Sequence, residues 1–189
     1  MKPGACQDTI VAEVFNDNFV HDFKEELKRF NAMHDNPKEI SLKSLNFELE
    51  MLSIVNFYIT NPLCYVRHGT DKDYSNGTFV LHQLSPGDYL QFNDGFGYTE
   101  LNIHIPLGQR KKDYEGAGLN FVRYNCSTED LSPGTFLMFP PDLTHFYTNN
   151  KITSGVFTFL TIKMHYTTWI CYQKANLYVC PGFGNKNNL

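Results

Sequence analysis

Glu100, Asn102 and His104 alternate along one short run with Leu101, Ile103, Ile105 and Leu107, so a carboxylate, an amide and an imidazole share one face of a predicted strand. If that face points into a barrel, the three can bind a metal or a small polar ligand. If the strand belongs to an ordinary sandwich, the same face meets water, and the sequence leaves both readings open. Two further groups stand at strand ends: Asp94, in the turn sequence Asn93-Asp94-Gly95, and His145, which follows an apolar run and precedes Phe146-Tyr147-Thr148-Asn149. Taken singly, they read as a turn aspartate and a hydrogen-bonded loop histidine. His21, His34, His68 and His165 have no partner at ligand spacing. Covalent and phosphate chemistry leave no signature, because no Gly-x-Ser-x-Gly elbow, P-loop or His-Glu-x-x-His occurs.

The elements that must position these groups divide the chain in two. Asn16-Asp17 is a good helix start, and Phe19, Val20, Phe23, Leu27 and Phe30 then recur at helical spacing, opposite Asp22, Lys24, Glu25, Lys28 and Arg29. A second helix is predicted over Leu45 to Tyr58. From about Thr78 the chain turns to short apolar runs punctuated by Pro-Gly, Asn-Asp-Gly, Gly-Ala-Gly and Ser-Pro-Gly. The predicted strands are Thr78–Leu84, Tyr89–Asn93, Glu100–Leu107, Leu119–Asn125, Thr135–Phe139 and Val156–His165. Strands in this number, with helices segregated upstream, imply a mainly β jelly roll or β-helix sandwich shielded by N-terminal helices.

The order of the pieces resembles the double-stranded β-helix of the iron(II)/2-oxoglutarate oxygenases, in particular their prolyl-hydroxylase-like members. Pro86-Gly87-Asp88-Tyr89-Leu90 is similar to the turn before their metal strand. Tyr114-Glu115-Gly116-Ala117-Gly118-Leu119-Asn120-Phe121 is similar to their glycine turn, and Ser132-Pro133-Gly134 to Phe139 to the turn and strand leading to the distal histidine. The resemblance covers residues 78–165. It implies a site of two histidines and one carboxylate around iron(II), with open positions for the keto acid and oxygen. Asp94 falls at the carboxylate and His145, 51 positions later, at the distal histidine. A second resemblance, to the cupins, rests on Gly134, Pro140, His145 and Asn149, with Gly87 and Glu100 in the first motif.

Two positions depart from the oxygenase pattern. Phe92 stands where the first histidine belongs, so the triad is broken there; the substitutes within reach are Gln91, through its amide oxygen, and His104 or His82 on neighbouring strands. The arginine or lysine that grips 2-oxoglutarate about ten residues past the distal histidine is missing, and Lys163, 18 positions on, is the cation of that strand. Asn102 and Lys163 are the candidate cofactor-binding residues.

The chain is expected to be one domain: residues 1–77 a helical support layer, 78–165 the β-helix core and 166–189 a C-terminal extension. Aromatic residues make up 15% of it, which supplies an aromatic core, and its net charge of −4 with scattered basic residues argues against nucleic acid. No apolar run reaches the roughly 18 residues of a membrane span, and the first residues lack a secretory core, so a cytoplasmic location is expected. There the five cysteines would mostly be reduced thiols, with Cys171–Cys180 as an alternative pair, and the glycosylation patterns at Asn76 and Asn125 would be chance matches. The resemblance implies a divergent iron(II)- and 2-oxoglutarate-dependent oxygenase acting on a small molecule or a protein side chain. The competing class is a β-helix binding or assembly protein that has lost its metal triad.

Overall fold

The computed structural model describes residues 2–3, 6, 8–57, 76–88, 99–140, 145–165, 172–174 and 177–179. In chain order its strands are β1 (Lys2–Pro3), β2 (Ile10–Glu13), β3 (Glu39–Ser41), β4 (Asn76–Leu84), β5 (Thr99–Pro106), β6 (Tyr114–Gly116), β7 (Leu119–Phe121), β8 (Cys126–Thr128), β9 (Thr135–Phe139), β10 (Tyr147–Asn149), β11 (Ile152–Gly155), β12 (Phe157–His165), β13 (Tyr172–Lys174) and β14 (Leu177–Val179). Two α-helices, α1 (Asp17–His34) and α2 (Glu48–Val55), precede the long strands.

Helix α1 starts as the sequence expects: the Asn16 side chain accepts a hydrogen bond from the Phe19 amide at 2.9 Å, satisfying one of the four free N–H groups of the first turn. It ends on Asp35 in the left-handed region, and Val20, Phe23 and Leu27 form its buried stripe. The second helix is shorter than expected. Leu42–Leu45 forms a 3-10 turn, α2 covers Glu48–Val55, and Tyr58 lies outside the described residues.

A seven-stranded antiparallel sheet in the order β1-β2-β9-β5-β12-β4-β3 forms the main layer. The residues before 77, expected to be helical, therefore also supply strands β1, β2 and β3. Against the main sheet lie two smaller ones, β10-β7-β8 and β11-β6, while β13 and β14 form a separate hairpin in the C-terminal segment.

Strand parity divides the main sheet's side chains between two environments. Phe79, Leu81, Ile103, Ile105, Phe136, Met138, Leu160, Ile162 and Met164 face the helices and pack with Phe23, Leu27, Met51 and Val55. The alternate residues face the small sheets: Leu137 and Phe139 pack with Leu119 and Phe121, and Leu84, Phe157 and Phe159 with Tyr114, Ala117 and Ile152. The run from Leu101 to Leu107 thus has both faces covered, and Asn102 and His104 are buried, not solvated. This decides between the two readings of that strand.

One expected strand is corrected. Leu119–Asn125 is not continuous, because after Phe121 the backbone tightens into a 3-10 turn over Val122–Tyr124 and reverses at Asn125, whose φ of 49° is left-handed. The chain returns as β8, with Phe121 opposite Cys126. The expected strand Tyr89–Asn93 lies outside the described residues. In the glycine turn, Gly118 has φ +90° and its position would drive a Cβ into the Thr128 carbonyl, so only glycine lets β7 and β8 close there.

Phe23 is 9% exposed and meets Phe47 edge-on at 5.6 Å. Phe23→Ala is expected to lower stability by about 3 kcal/mol through the cavity it leaves, read as a lower urea midpoint at unchanged slope. An unchanged midpoint would mean that α1 is not docked on the sheet.

Candidate functional site

The inward face of the main sheet can be read as rows across β4, β12, β5 and β9. Thr78, Lys163, Asn102 and Phe139 form one row. The next contains Val80, Thr161, His104 and Leu137, and the next His82, Phe159 and Pro106. Leu84 and Phe157 form the last. The rows run from the Asn102 end, where β9 leads toward His145, to a floor at Phe157.

The floor is a stack of rings. Phe157 and Phe159 stack at 4.6 Å, His82 lies on Phe159 at 4.8 Å, His104 meets Phe159 at 4.5 Å, and Tyr114 meets Phe157 at 4.7 Å. This position on the last core strand is where the family resemblance implies a cationic keto-acid anchor, and the structure fills it with aromatic carbon. Burial holds both histidines neutral: desolvation, with the Lys163 charge adding to it, lowers His82 to about 4, and desolvation, with His82 adding to it, lowers His104 to about 3. Burial also raises the Tyr114 phenol to about 12.

His145 occupies a different place. It is 1% exposed, edge-on to Phe121 at 5.8 Å and tilted against Tyr124 at 4.8 Å. Phe139 continues this aromatic bed, meeting Phe121 at 5.0 Å. Asn102 ties the bed to the polar rows, since its amide nitrogen donates to the Pro140 carbonyl at 3.2 Å, just ahead of the segment that carries His145. Neither Phe121 nor Tyr124 was singled out from the sequence, because both fell inside a run read as one strand. The aromatic-rich Phe121-Val122-Arg123-Tyr124 stretch was the available signal.

The five cysteines correct another expectation. Cys6 and Cys126 form a disulfide across 120 positions, with their Cα atoms 5.7 Å apart. Cys126 ends beside Cys6 because β8 folds back on β7, and both belong to the cluster of Leu119, Phe121, Leu137 and Phe139. They are not reduced thiols. The alternative pair Cys171–Cys180 lies outside the described residues.

Asp94 and Gln91, the expected carboxylate ligand and one substitute ligand, also lie outside the described residues. His104 and His82, the other substitutes, face inward but belong to the ring stack, whereas His145 belongs to the Phe121–Tyr124 bed. Among the described residues no three His, Cys, Asp or Glu side chains are grouped to hold a metal ion. Of the two residues that the resemblance implies as metal ligands, the structure describes His145 alone.

The neutral histidines set an acid limit on stability. Their folded pKa values, about 4 and about 3, lie below the unfolded value of 6.5, so the unfolded chain takes up protons that the folded chain refuses. Their contribution is complete above pH 6.5 and falls as pH drops toward 4, at up to about 1.4 kcal/mol per pH unit for each histidine. Urea midpoints measured from pH 7 to 4 should show this loss, and the double variant His82→Phe/His104→Phe should flatten it. A wild-type curve level through that window would contradict the buried, neutral assignment.

No family model matches the chain. Among curated proteins it is similar to the multifunctional procollagen lysine hydroxylase and glycosyltransferase of Caenorhabditis elegans, 23% identical over 168 residues, covering 80% of this chain and 23% of that protein. It is also similar to procollagen-lysine,2-oxoglutarate 5-dioxygenase 1 of Bos taurus, 25% identical over 79% of this chain and 23% of that protein. The chain thus spans about a quarter of the length of these relatives. Of solved structures, the viral collagen prolyl hydroxylase of Paramecium Bursaria Chlorella virus-1 in its 2OG complex shares the fold. It aligns with a TM-score of 0.58 at 14% identity, covering 85% of this chain and 99% of that one. The chain is accordingly homologous in sequence to procollagen lysine hydroxylases and shares the double-stranded β-helix fold of the prolyl hydroxylases.

Proposed function

We propose that this chain is a divergent hydroxylase of the iron(II)/2-oxoglutarate type whose substrate is a side chain of a protein or peptide. The observation that carries this reading is the sequence likeness to procollagen lysine hydroxylases across about 80% of the chain. The burial of His145 on Phe121 and Tyr124, at the position of the distal histidine, supports it. His145 and Asp94 would hold the metal, which when bound supplies the oxygen chemistry of hydroxylation. The chain's own part is to fix the His145 ring against Phe121 and Tyr124, keep water from it, and carry through Asn102 the connection between that bed and the polar rows. A peptide substrate is favoured over a small molecule because the homologues are named for procollagen. The Cys6–Cys126 bond supports folding in an oxidising compartment, against the cytoplasmic expectation.

The test is oxygen uptake and 2-oxoglutarate decarboxylation by the iron(II)-loaded protein with lysine- and proline-containing collagen-like peptides, beside cobalt(II) titration. Wild type should bind cobalt(II) and turn over, and Asp94→Ala or His145→Ala should lose both. Because affinity depends on ligand number, Phe92→His should tighten cobalt(II) binding at least tenfold. If wild type binds no metal and consumes no oxygen, the β-helix serves as a binding or assembly module. Equal cobalt(II) affinity in wild type and Phe92→His would show that residue 92 does not face the metal.

A further inference from the structure

We propose that Asn125 is a site of N-linked glycosylation, taking an oligosaccharide from a lipid-pyrophosphate donor onto its side-chain amide. The hydroxylase chemistry plays no part in it. The acceptor pattern Asn125-Cys126-Ser127 reads as a chance match only if the chain stays in the reducing cytoplasm. The Cys6–Cys126 bond argues against that premise, and it engages the middle residue of the pattern itself. Such a bond forms and persists in an oxidising compartment, which is also where asparagine glycans are added.

The local geometry presents the two recognition residues and withdraws the third. After the 3-10 turn Val122–Tyr124 the chain reverses at Asn125, whose φ of 49° lies in the left-handed region that asparagine tolerates better than most residues. Asn125 and Ser127 are exposed, whereas Cys126 between them packs inward against the cluster of Leu119, Phe121, Leu137 and Phe139. The Ser127 hydroxyl accepts a hydrogen bond from the Asn150 side-chain amide at 2.6 Å, an exposed contact on the same outward side. The pattern also opens β8, the outer strand of the sheet β10-β7-β8, so no further strand covers it among the described residues. The other pattern, Asn76-Gly77-Thr78, is paired residue for residue with β12, so of the two it is Asn125 that stands at a chain reversal. In the transfer, the Asn125 amide nitrogen bonds to the anomeric carbon of the first sugar and the bond from that carbon to the pyrophosphate oxygen breaks. One amide proton leaves with the pyrophosphate, and no oxidant or reductant is consumed.

For the test, the full chain is directed into the secretory pathway of cultured mammalian cells, and the peptide containing residue 125 is analysed by mass spectrometry before and after peptide-N-glycosidase F. Wild type should lose one glycan on treatment, with the asparagine at position 125 converted to aspartate. Asn125→Gln and Ser127→Ala should carry no glycan there, Ser127→Thr should keep it, and Asn76→Gln should leave it unchanged. Transfer precedes folding, so total cell protein is analysed and a variant that folds poorly still reports. In wild type the glycan should occur on molecules that also hold the Cys6–Cys126 bond, mapped from unreduced peptides. An unmodified residue 125 in wild type, a glycan there that survives Ser127→Ala, or a glycan confined to molecules without the Cys6–Cys126 bond would each overturn the site. No metal or 2-oxo acid enters the measurement, so its outcome is separate from that of the hydroxylase test.

Discussion

The pairing of β12 between β4 and β5 is the constraint on which the rest depends. Its nine residues are matched one for one with β4 from Phe157↔Leu84 to His165↔Asn76, and almost as fully with β5. Because side chains in a strand alternate, a slip of one residue would turn Leu160, Ile162 and Met164 toward the small sheets and Phe159, Thr161 and Lys163 onto the helices. The register therefore fixes two things at once: an apolar layer under α1 and α2, and an inward face that is polar near the Asn102 end and aromatic at Phe157. Burying Lys163 against Phe23 and Met51 would be costly enough to exclude the slipped register.

The charges on that inward face are few, and the Glu39 carboxylate stands at its edge, 3.5 Å from His82. The one inward cation among the described residues is Lys163, and the two histidines deeper in are kept neutral by burial, so positive charge is confined to the end where His145 lies. The aromatic floor excludes water and charge together. Divergence from the oxygenase pattern is thus not a scatter of losses. The ring at position 157, the imidazole at 104 and the cation at 163 are arranged in a consistent order along the sheet.

Much of this was legible in the sequence wherever an element was long enough to show its period. The stripe of α1 and the alternation from Leu101 to Leu107 came out as read, since each carries several repeats of its pattern. The three-residue strands β6, β8 and β10 show no period at all; they exist because the main sheet offers them a surface. The break after Phe121 was hidden because Val122 and Tyr124 are good strand residues, and only the left-handed turn at Asn125, set by tertiary context, decides against a strand. The disulfide is invisible to the sequence for another reason: spacing carries no sign of a bond across 120 positions, and the proximity of Cys6 and Cys126 is produced entirely by the fold. In the site, motif order points to His145, whereas the rings it packs on, Phe121 and Tyr124, lie in a stretch with no motif of its own.

The disulfide also gives the chain a topology. Cys6 and Cys126 close a covalent ring that contains β2, β3, β4 and β5, whereas β9 and β12 belong to the free tail beyond it. In the main sheet, β9 lies between β2 and β5, and β12 between β5 and β4. The ring's strands are therefore not neighbours of one another, save β3 and β4, until the tail interleaves with them. A ring closed early cannot complete its own sheet, and the last third of the chain acts as the key that locks the first two, so the wall bearing Asn102 and His104 comes into being only when the final long strand arrives.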